Sequence, residues 1–302
     1  LIGGYAIGAA QGFIYMRGEY ARAQKIFGAA IAAARARGYL GENILGSGFS
    51  FDIELRSGAG AYICGEETAL MESIEGFRGE PRNKPPFPTT HGLFGEPTAV
   101  NNPETLLNAA YIVLHGAVAY RSVGTEKSPG TRLFCVSGHV AIPGVYEVAM
   151  GTTLGDVIDL AGGATGTTRA ILMGGAAGSF IAAGQLDLPL TQEDTREAGT
   201  TLGSGVITLF DDSVGFQALL TRITEFFKGA SCGQCVPCRV GTTRQHEVIV
   251  ELGRTGTLPV ARATLIDDMA LAMADASICG LGHTAAGAVQ SAIRLGLIGA
   301  SS

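Results

Sequence analysis

The feature that most constrains this fold is a run of three cysteines with a fourth cysteine far downstream. Cys232, Cys235 and Cys238 follow one another at intervals of three residues, and Cys279 precedes a glycine. Three thiolates at this spacing can ligate one side of a small iron–sulfur cluster, and one remote thiolate can complete the ligand set. A glycine and a proline inside the run suit a tight turn around a ligand. The pattern therefore favours a [4Fe–4S] cluster.

Two other interpretations of the cysteines stay open at this point. A structural zinc site usually uses two separated Cys-x-x-Cys pairs, and the sequence offers no second pair. Thiols buried by coincidence are the other alternative, which the glycine and proline inside the run disfavour. A zinc-stabilised helical module would contain zinc and would lack the brown colour of an iron–sulfur protein.

The length, the net charge and the arrangement of the cysteines limit the kinds of protein that this chain can be. A chain of 302 residues has room for two or three domains, each with its own core. A net charge of −6 without a Lys/Arg-rich run disfavours nucleic-acid binding. Cysteines grouped as metal ligands are typical of the reducing cytoplasm, where we place the protein, and we expect no membrane span. Cys64 and Cys135, outside the group, are predicted to be core residues.

The first part of the chain alternates predicted helices and strands. Strands are predicted at 13–17 and 51–56, and helices at 19–37 and 66–75. This order predicts a layered α/β domain, which we assign to residues 1–129. We expect the numbered chain to begin within this domain.

Residues 130–204 are predicted to form a β-grasp module. A hairpin with strands at 133–138 and 144–148 leads into a helix capped by Thr153, and a strand follows at 170–173. This β-β-α-β order suits the small β-grasp fold.

Residues 205–302 are predicted to be mostly helical. The candidate helices are 213–227, 239–252, 260–274 and 284–295. The four cysteines of the proposed cluster fall at the loop ends of these helices. We therefore expect a helical bundle that encloses the cluster.

A second informative segment, Gly58–Leu70, follows the strand predicted at 51–56 and contains three glycines. Glycines after a strand let backbone N–H groups approach a ligand, and a helix N-terminus favours negative charge. The third glycine is not at Rossmann spacing, so the pattern alone is a weak dinucleotide signature. Glu66 and Glu67 either favour the helix dipole or, together with Tyr62, belong to a dinucleotide or flavin site.

Four segments in this order resemble those of one protein family. They are Gly58–Leu70, Lys84-Pro-Pro-Phe87-Pro, Val100-Asn-Asn with Glu104-Thr105, and the Ser231-Cys-Gly-Gln-Cys-Val-Pro-Cys-Arg run. The chain resembles the NADH-binding flavoprotein subunit of respiratory complex I and the diaphorase subunits of soluble NAD-dependent formate dehydrogenases and NAD-reducing hydrogenases. The resemblance covers essentially the whole sequence.

The resemblance implies a fold and a set of site residues. The first domain would be a truncated Rossmann-like FMN/NADH domain, followed by the β-grasp module and a helical [4Fe–4S] domain. The residues that would line FMN are Gly65, Glu66, Glu67, Asn101 and Asn102. The residues that would hold NAD(H) are Tyr62, Glu67, Lys84 and Phe87, and Glu67 is the one we assign to catalysis. The cluster ligands would be Cys232, Cys235, Cys238 and Cys279.

Several of these residues also have a purely structural interpretation. Lys84 is either a solvated loop lysine or a partner of Glu67 or of a phosphate. Phe87 is alternatively a loop anchor packed against Phe94. The pair Asn101–Asn102 is alternatively a turn before a helix that starts near residue 104.

The implied activity is that of a diaphorase subunit in a multisubunit NAD(H)-dependent oxidoreductase. The implied partners are a small thioredoxin-like [2Fe–2S] subunit and a large iron–sulfur catalytic subunit of the formate dehydrogenase α type. The segments 276–285 and 174–178 are closer to formate dehydrogenases and hydrogenases than to complex I. We therefore favour formate dehydrogenase, with complex I, an NAD-reducing hydrogenase or a relay subunit without flavin as alternatives.

The sequence also departs from the family. A glycine-rich loop that cradles the flavin phosphate and an acidic Asn-Ala-Asp-Glu segment both belong upstream of the residues present here, and neither occurs. We interpret the chain as a fragment, or its other half as a disordered or separate polypeptide, and expect the chain as written to bind FMN poorly. Ala230 stands where the family usually has glutamate, which leaves the cysteine ligands intact.

Overall fold

The computed structural model describes residues 1–299 of the chain. Packing divides the chain into two units, Leu1–Gly116 and the part from Ala117 onward. This division falls ahead of the boundary that the sequence suggested at residue 129. Within the second unit, packing does not separate the residues before 204 from those after it.

The first unit contains a two-stranded parallel sheet and four α-helices. Its elements are α1 (Ile2–Ile7), β1 (Gln11–Met16), α2 (Ala21–Ala36), β2 (Asp52–Ser57), α3 (Glu67–Glu75) and α4 (Pro103–His115). Strand β1 pairs in parallel with β2, and α2 supplies the crossover that parallel neighbours need. The expected strand–helix–strand–turn–helix order is therefore confirmed.

Two apolar clusters hold the helices of this unit against its sheet. Ile31 of α2 packs with the buried Leu40, Ile44 and Phe51, next to the inward side chains of both strands. On the other side, buried residues of α3 pack with Leu93 from the loop that follows the helix. The loop is thereby fixed to α3, and this contact brings two candidate site segments together.

The second unit begins with a short helix and a five-stranded mixed sheet. Its first elements are α5 (Ala117–Arg121), β3 (Thr131–Gly138), β4 (Gly144–Ala149), α6 (Leu154–Leu160), β5 (Thr168–Met173), β6 (Ser179–Ala182), α7 (Gln192–Glu197) and β7 (Val206–Asp211). The strand order is β4-β3-β7-β5-β6, in which only the β3–β7 pair is parallel. The hairpin and the Thr153-capped helix lie where the sequence predicts them.

Strand β7 corrects the module boundary drawn at residue 204. It lies in the middle of the sheet, between β3 and β5, so the sheet is incomplete without residues assigned to the helical domain. The expectation that Cys135 belongs to the core is also wrong, because its side chain is exposed. Phe134 and Val136 take the core face of β3, and the two-residue period of a strand turns Cys135 to the other face.

Helices complete the second unit. They are α8 (Phe216–Ala230), α9 (Val236–Thr255), α10 (Val260–Ala276), α11 (Gly280–Thr284) and α12 (Gly287–Arg294). The helix predicted at 284–295 corresponds to α12, and the short helix α11 before it was not predicted. Helix α12 packs on β6, where the Phe180 N–H donates to the Ser291 hydroxyl over 2.8 Å, so sheet and helices share one core. Across residues 1–299, no helix combines the length and the apolar character needed to cross a bilayer.

Candidate functional site

The turn between β2 and α3 lies close to a tyrosine side chain at one glycine and is open at another. A Cβ atom at Gly58 would lie 2.5 Å from the Tyr15 hydroxyl oxygen, so a larger residue there would have to displace the Tyr15 side chain. At Gly65 a Cβ atom would meet no atom within 4 Å. The exposed backbone at Gly65 therefore has open space in front of it, as the approach of a flavin requires.

Glu66 caps the N-terminus of α3 with its own side chain. Its Oε2 accepts from the backbone N–H groups of Thr68 and Ala69, both over 2.8 Å, and from the Thr68 hydroxyl over 2.6 Å. A side-chain oxygen on these N–H groups stabilises the start of a helix. The sequence suggested that this N-terminus attracts the negative charge of a ligand, but the Glu66 carboxylate already takes two of its donors.

Lys84 joins the loop to both glutamates at the start of α3. Its Nζ donates to Oε1 of Glu66 over 3.1 Å and also bonds to Oε1 of Glu67. Burial alone would lower the pKa of Lys84, but the bonds to the two carboxylates outweigh it and raise the pKa above its usual value. Of the interpretations open for Lys84, the structure shows the pairing with Glu67 and adds Glu66.

Electrostatics keep Glu66 ionised in this arrangement. Burial by itself would raise the pKa of Glu66, yet the hydrogen bonds of the cap and of Lys84 bring the pKa below its usual value. Two carboxylates facing one ammonium leave a net negative charge. The group can therefore accept hydrogen bonds from the hydroxyl or amide groups of a bound nucleotide.

Arg82 fixes the position of the loop, and the sequence analysis missed it. Its guanidinium bonds to Glu72 over 2.5 Å, to Glu75 over 2.6 Å and to the Gly92 carbonyl over 3.0 Å. Its backbone N–H donates to the Thr68 hydroxyl over 2.8 Å. Two glutamates at i and i+3 on α3 are a signal that such a partner exists, although they do not say which arginine it is.

The aromatic residues expected at the nucleotide site are partly exposed. Tyr62 is 40% exposed and Phe87 is 56% exposed. Phe94 packs edge-on against Phe13 with ring centroids 6.1 Å apart. The main-chain carbonyl of Phe87 accepts from the N–H groups of the turn that follows it, over 2.9 Å. The ring of Phe87 is thus presented to the outside and has the geometry of a stacking surface.

Of the two asparagines, Asn102 has a structural role in a helix cap, whereas Asn101 is exposed. Asn102 caps α4, with its Oδ1 accepting from the Glu104 N–H over 2.9 Å, and Pro103 occupies the first turn. Asn101 is exposed just before the cap. Among residues 1–299, no direct hydrogen bond or ion pair ties either asparagine to Lys84 and its two glutamates.

In the second unit, the cysteines lie at the starts of helices. Cys235 is the N-cap residue of α9, Cys238 lies in its first turn, and Cys279 is the N-cap residue of α11. Gly233 adopts a left-handed φ of 83° between Cys232 and the helix, which lets the chain turn back on itself. Cys238 and Cys279 are only 5% and 8% exposed, respectively.

The four thiols lie close enough to influence one another. The pKa of the Cys238 thiol is raised to about 11, chiefly by burial and partly by the charges of the other three cysteines, against a lowering by a hydrogen bond with Ser231. Burial also raises the pKa of Cys279, while the backbone N–H groups of Leu281 and Gly282 act to lower it. Buried thiols next to one another need a positively charged ligand to become thiolates together.

The donor set fits an iron–sulfur cluster. Across the described part of the chain, no three His, Cys, Asp or Glu side chains are close enough to bind one metal ion. A [4Fe–4S] cluster takes one thiolate at each of its four irons, so its ligands surround a larger object than a single ion. The four cysteines supply one thiol for each iron, and backbone N–H groups of Leu281 and Gly282 are directed at Cys279.

Three family models match the chain in the order of these sites. The Nuo51 FMN-binding domain matches residues 1–111, the SLBB domain matches residues 133–176, and the NADH-ubiquinone oxidoreductase-F iron-sulfur binding region matches residues 218–295. The first range contains the group around Lys84, and the last contains all four converging cysteines.

Similar proteins come from different assemblies. An NADH-quinone oxidoreductase subunit of Rhizobium meliloti (strain 1021) is 41% identical, over 97% of this chain and 70% of that protein. The corresponding NADH-quinone oxidoreductase subunit of Mycobacterium tuberculosis (strain ATCC 25618 / H37Rv) is 42% identical, over 97% of this chain and 66% of that protein. The NADP-reducing hydrogenase subunit HndC of Solidesulfovibrio fructosivorans is 41% identical, over 94% of this chain and 58% of that protein.

A solved structure has the same fold. The H2-reduced crystal structure of NAD+-reducing [NiFe]-hydrogenase superposes with a TM-score of 0.86 at 38% identity, covering 96% of this chain and 48% of that one. The present chain therefore spans only part of these proteins, from 48% of the hydrogenase chain to 70% of the Rhizobium meliloti protein.

Proposed function

Because the chain belongs to the family of NADH-binding FMN and iron–sulfur subunits found in NADH-quinone oxidoreductases, we propose that it is a diaphorase subunit. It exchanges electrons between NAD(H) and a larger assembly. The cofactors of this family are FMN, NAD(H) and a [4Fe–4S] cluster, and its α/β fold with a β-grasp-like SLBB region is the fold of this chain.

The packing of α9 against α11, which carry Cys235, Cys238 and Cys279 at their starts, is the observation that carries this proposal. FMN, when bound, converts the two-electron hydride chemistry of NAD(H) into the single-electron steps of an iron–sulfur cluster. The four thiolates hold that cluster, and the buried positions of Cys238 and Cys279 exclude water from part of it.

In the first unit, we assign the flavin and nucleotide contacts to the turn before α3 and to the loop braced by Arg82. The residues assigned to FMN are Gly65, Glu66, Glu67, Asn101 and Asn102. The residues assigned to NAD(H) are Tyr62, Glu67, Lys84 and Phe87. Open space at Gly65, the exposed ring of Phe87 and the charged group around Lys84 support this assignment.

The role of Glu67 follows from its position beside Lys84. Its carboxylate is 40% exposed, whereas that of Glu66 is 17% exposed and occupied by the helix cap. Glu67 therefore has oxygen atoms facing outward while the shared ammonium limits its movement. We assign it to orienting the nicotinamide part of NAD(H), the position at which a small displacement alters hydride transfer most.

For the parent assembly, we propose a soluble, cytoplasmic NAD-dependent formate dehydrogenase. Its further parts would be a small thioredoxin-like [2Fe–2S] subunit and a large iron–sulfur catalytic subunit. The segments 276–285 and 174–178 support this choice. The names of the similar proteins favour two competing parents, an NADH-quinone oxidoreductase and a hydrogenase.

Elemental mass spectrometry of the native assembly, together with its flavin absorbance, tests the proposal. Iron with molybdenum or tungsten would support formate dehydrogenase, and iron with nickel would identify a hydrogenase. Iron alone would favour an NADH-quinone oxidoreductase. Zinc without iron would overturn the cluster assignment, and iron without flavin would reduce the subunit to an electron relay.

A further inference from the structure

One buried hydroxyl beside the cysteines has no partner. Ser277 directly follows α10 as its C-cap residue, and its Oγ is buried without any hydrogen bond among the described residues. Its backbone groups are both paired, since its N–H donates to the Met273 carbonyl over 3.2 Å and its carbonyl bonds to Nε2 of His283 over 2.9 Å. The hydroxyl is therefore the only unsatisfied polar group of a residue whose backbone is firmly held.

Buried hydroxyls are almost always hydrogen-bonded in native proteins, so an isolated one points to a partner of another kind. Serine hydroxyls at helix ends commonly bond a carbonyl of the preceding turn, but Oγ of Ser277 has no such partner among the described residues. A hydroxyl in this position needs an acceptor outside α10.

The neighbours of Ser277 show that its hydroxyl lies beside Gly282 and Cys238. A Cβ atom built on Gly282 would lie 2.2 Å from Oγ of Ser277 and 3.2 Å from Cβ of Cys238. Ser277, Gly282 and Cys238 therefore meet at one point, and the Gly282 N–H is itself directed at Cys279. A larger residue at position 282 would displace the Ser277 hydroxyl from this place.

Ser231 shows what a hydroxyl does in this environment. Its Oγ lies 3.4 Å from Sγ of Cys238 and accepts from the Gly233 N–H over 3.3 Å. A thiolate that ligates iron has no proton, so it can only accept a hydrogen bond. The Ser231 hydroxyl, which accepts from the Gly233 N–H, can therefore donate its own proton to the Cys238 sulfur. Ser277 approaches the same cysteine from the end of another helix.

We propose that the Ser277 hydroxyl donates a hydrogen bond to a sulfur atom on the Cys238–Cys279 side of the [4Fe–4S] cluster and raises its reduction potential. The inference rests on the proposed ligand role of the four cysteines. Hydrogen bonds to cluster sulfurs stabilise the reduced, more negative cluster more than the oxidised one, so each donor raises the potential. Ser277 is thus a tuning residue for electron exchange between flavin and cluster.

The test is a redox titration of Ser277→Ala in the complete native assembly, followed by electron paramagnetic resonance. The relevant signal is the one that Cys235→Ser removes, which separates it from other clusters. We expect the midpoint of this signal to shift to a more negative potential at unchanged iron and flavin content. Thr264→Ala is the matched control, because it removes an exposed hydroxyl of α10 that bonds only to the Val260 carbonyl.

Electron–nuclear double resonance of samples in H2O and D2O supplies a second readout. The parent protein should show an exchangeable coupling that Ser277→Ala lacks, while couplings from backbone N–H groups remain. An unchanged midpoint with unchanged couplings would overturn the inference, as would loss of the cluster, which would make the hydroxyl a requirement for assembly. Absence of any iron–sulfur signal in the parent protein would instead refute the proposed function.

Discussion

Nζ of Lys84 lies 3.1 Å from Oε1 of Glu66, while the other carboxylate oxygen of Glu66 caps α3. One side chain thus joins the start of a helix to a loop that is 18 positions away in the sequence. The candidate nucleotide site depends on this bridge, because it places Lys84 next to Glu67. Changes at Glu66 and Glu67 should consequently have different effects.

Replacing Glu66 by alanine should mainly destabilise the first unit. The substitution removes the oxygen that accepts from the Thr68 and Ala69 N–H groups, and loss of such a cap costs about 1 kcal/mol. Urea unfolding followed by circular dichroism measures the loss. Glu66→Asp, which keeps a carboxylate, should recover part of it, and equal stability of the alanine variant and the parent would contradict the capping role.

Replacing Glu67 by glutamine should affect NADH oxidation more than stability. The amide keeps the shape but removes the charge that faces Lys84, so we expect roughly a tenfold loss in kcat/KM for NADH. Steady-state kinetics of the complete assembly measure this, with the iron–sulfur signal unchanged. Glu96→Gln, an exposed change in the following loop, is the control, and parent-like kinetics of Glu67→Gln would remove Glu67 from the site.

The contribution of Glu66 to stability should depend on pH in the acid range. Its pKa is lower in the folded chain than in the unfolded chain, because the cap and Lys84 outweigh burial. A carboxylate of this kind stabilises the fold above its unfolded pKa, about 4.3 for glutamate, and the stabilisation disappears as pH falls through the folded value. The unfolding free energies of the parent and of Glu66→Gln should therefore differ at neutral pH and converge in acid. A difference that stays constant with pH would exclude the ionised carboxylate as its source.

Arg82→Ala should loosen the loop that carries Lys84. It leaves Glu72 and Glu75 without their partner in partly buried positions, which we expect to cost about 2 kcal/mol, below the range for fully buried pairs. Hydrogen exchange should increase in the loop before it increases in the β1–β2 sheet. Arg22→Ala, an exposed change on α2, is the control, and unchanged exchange in the loop would show that Arg82 does not brace it.

The elements that the sequence predicted correctly are those whose formation depends on residues close together in the chain. The alternation in β3 and β4 gave the hairpin, and Thr153 gave the start of α6, because both depend on residues near in sequence. Strand β7 was missed, since its central place comes from pairing with β3 and β5. Cys135 is exposed because its neighbours in β3, Phe134 and Val136, occupy the core face of the sheet.

In the candidate sites, too, local features could be predicted from the sequence, whereas contacts between distant residues could not. The spacing of the cysteines and the turn before α3 predicted the segments that carry the candidate sites, and their ligand roles stay predictions. The pairing of Lys84 with Glu67 was one of the interpretations left open, whereas the bond to Glu66 and the brace at Arg82 were not foreseen. Nothing in the local sequence sets which acidic residue a loop cation meets, because the folding of the loop onto α3 decides it.

Replacing Cys235 by serine should remove the cluster and spare part of the flavin chemistry. Cys235 caps α9 and is one of the four converging thiols, whereas the residues assigned to FMN and NAD(H) all belong to the first unit. A serine oxygen is a poor substitute for thiolate sulfur at an iron–sulfur cluster. Iron content and the iron–sulfur signal of the assembly should therefore fall, while NADH-to-ferricyanide turnover, which draws electrons from the flavin, partly survives.

Cys135→Ser makes the same chemical change at an exposed position on β3 and is the matched control. It should retain the cluster, because β3 contributes no ligand. If Cys235→Ser also abolishes reduction of the flavin by NADH, hydride transfer depends on the cluster domain, and the assignment of that step to the first unit fails. If Cys235→Ser keeps its full iron–sulfur signal, the three-cysteine run is not the ligand set, and the proposed electron path loses its acceptor.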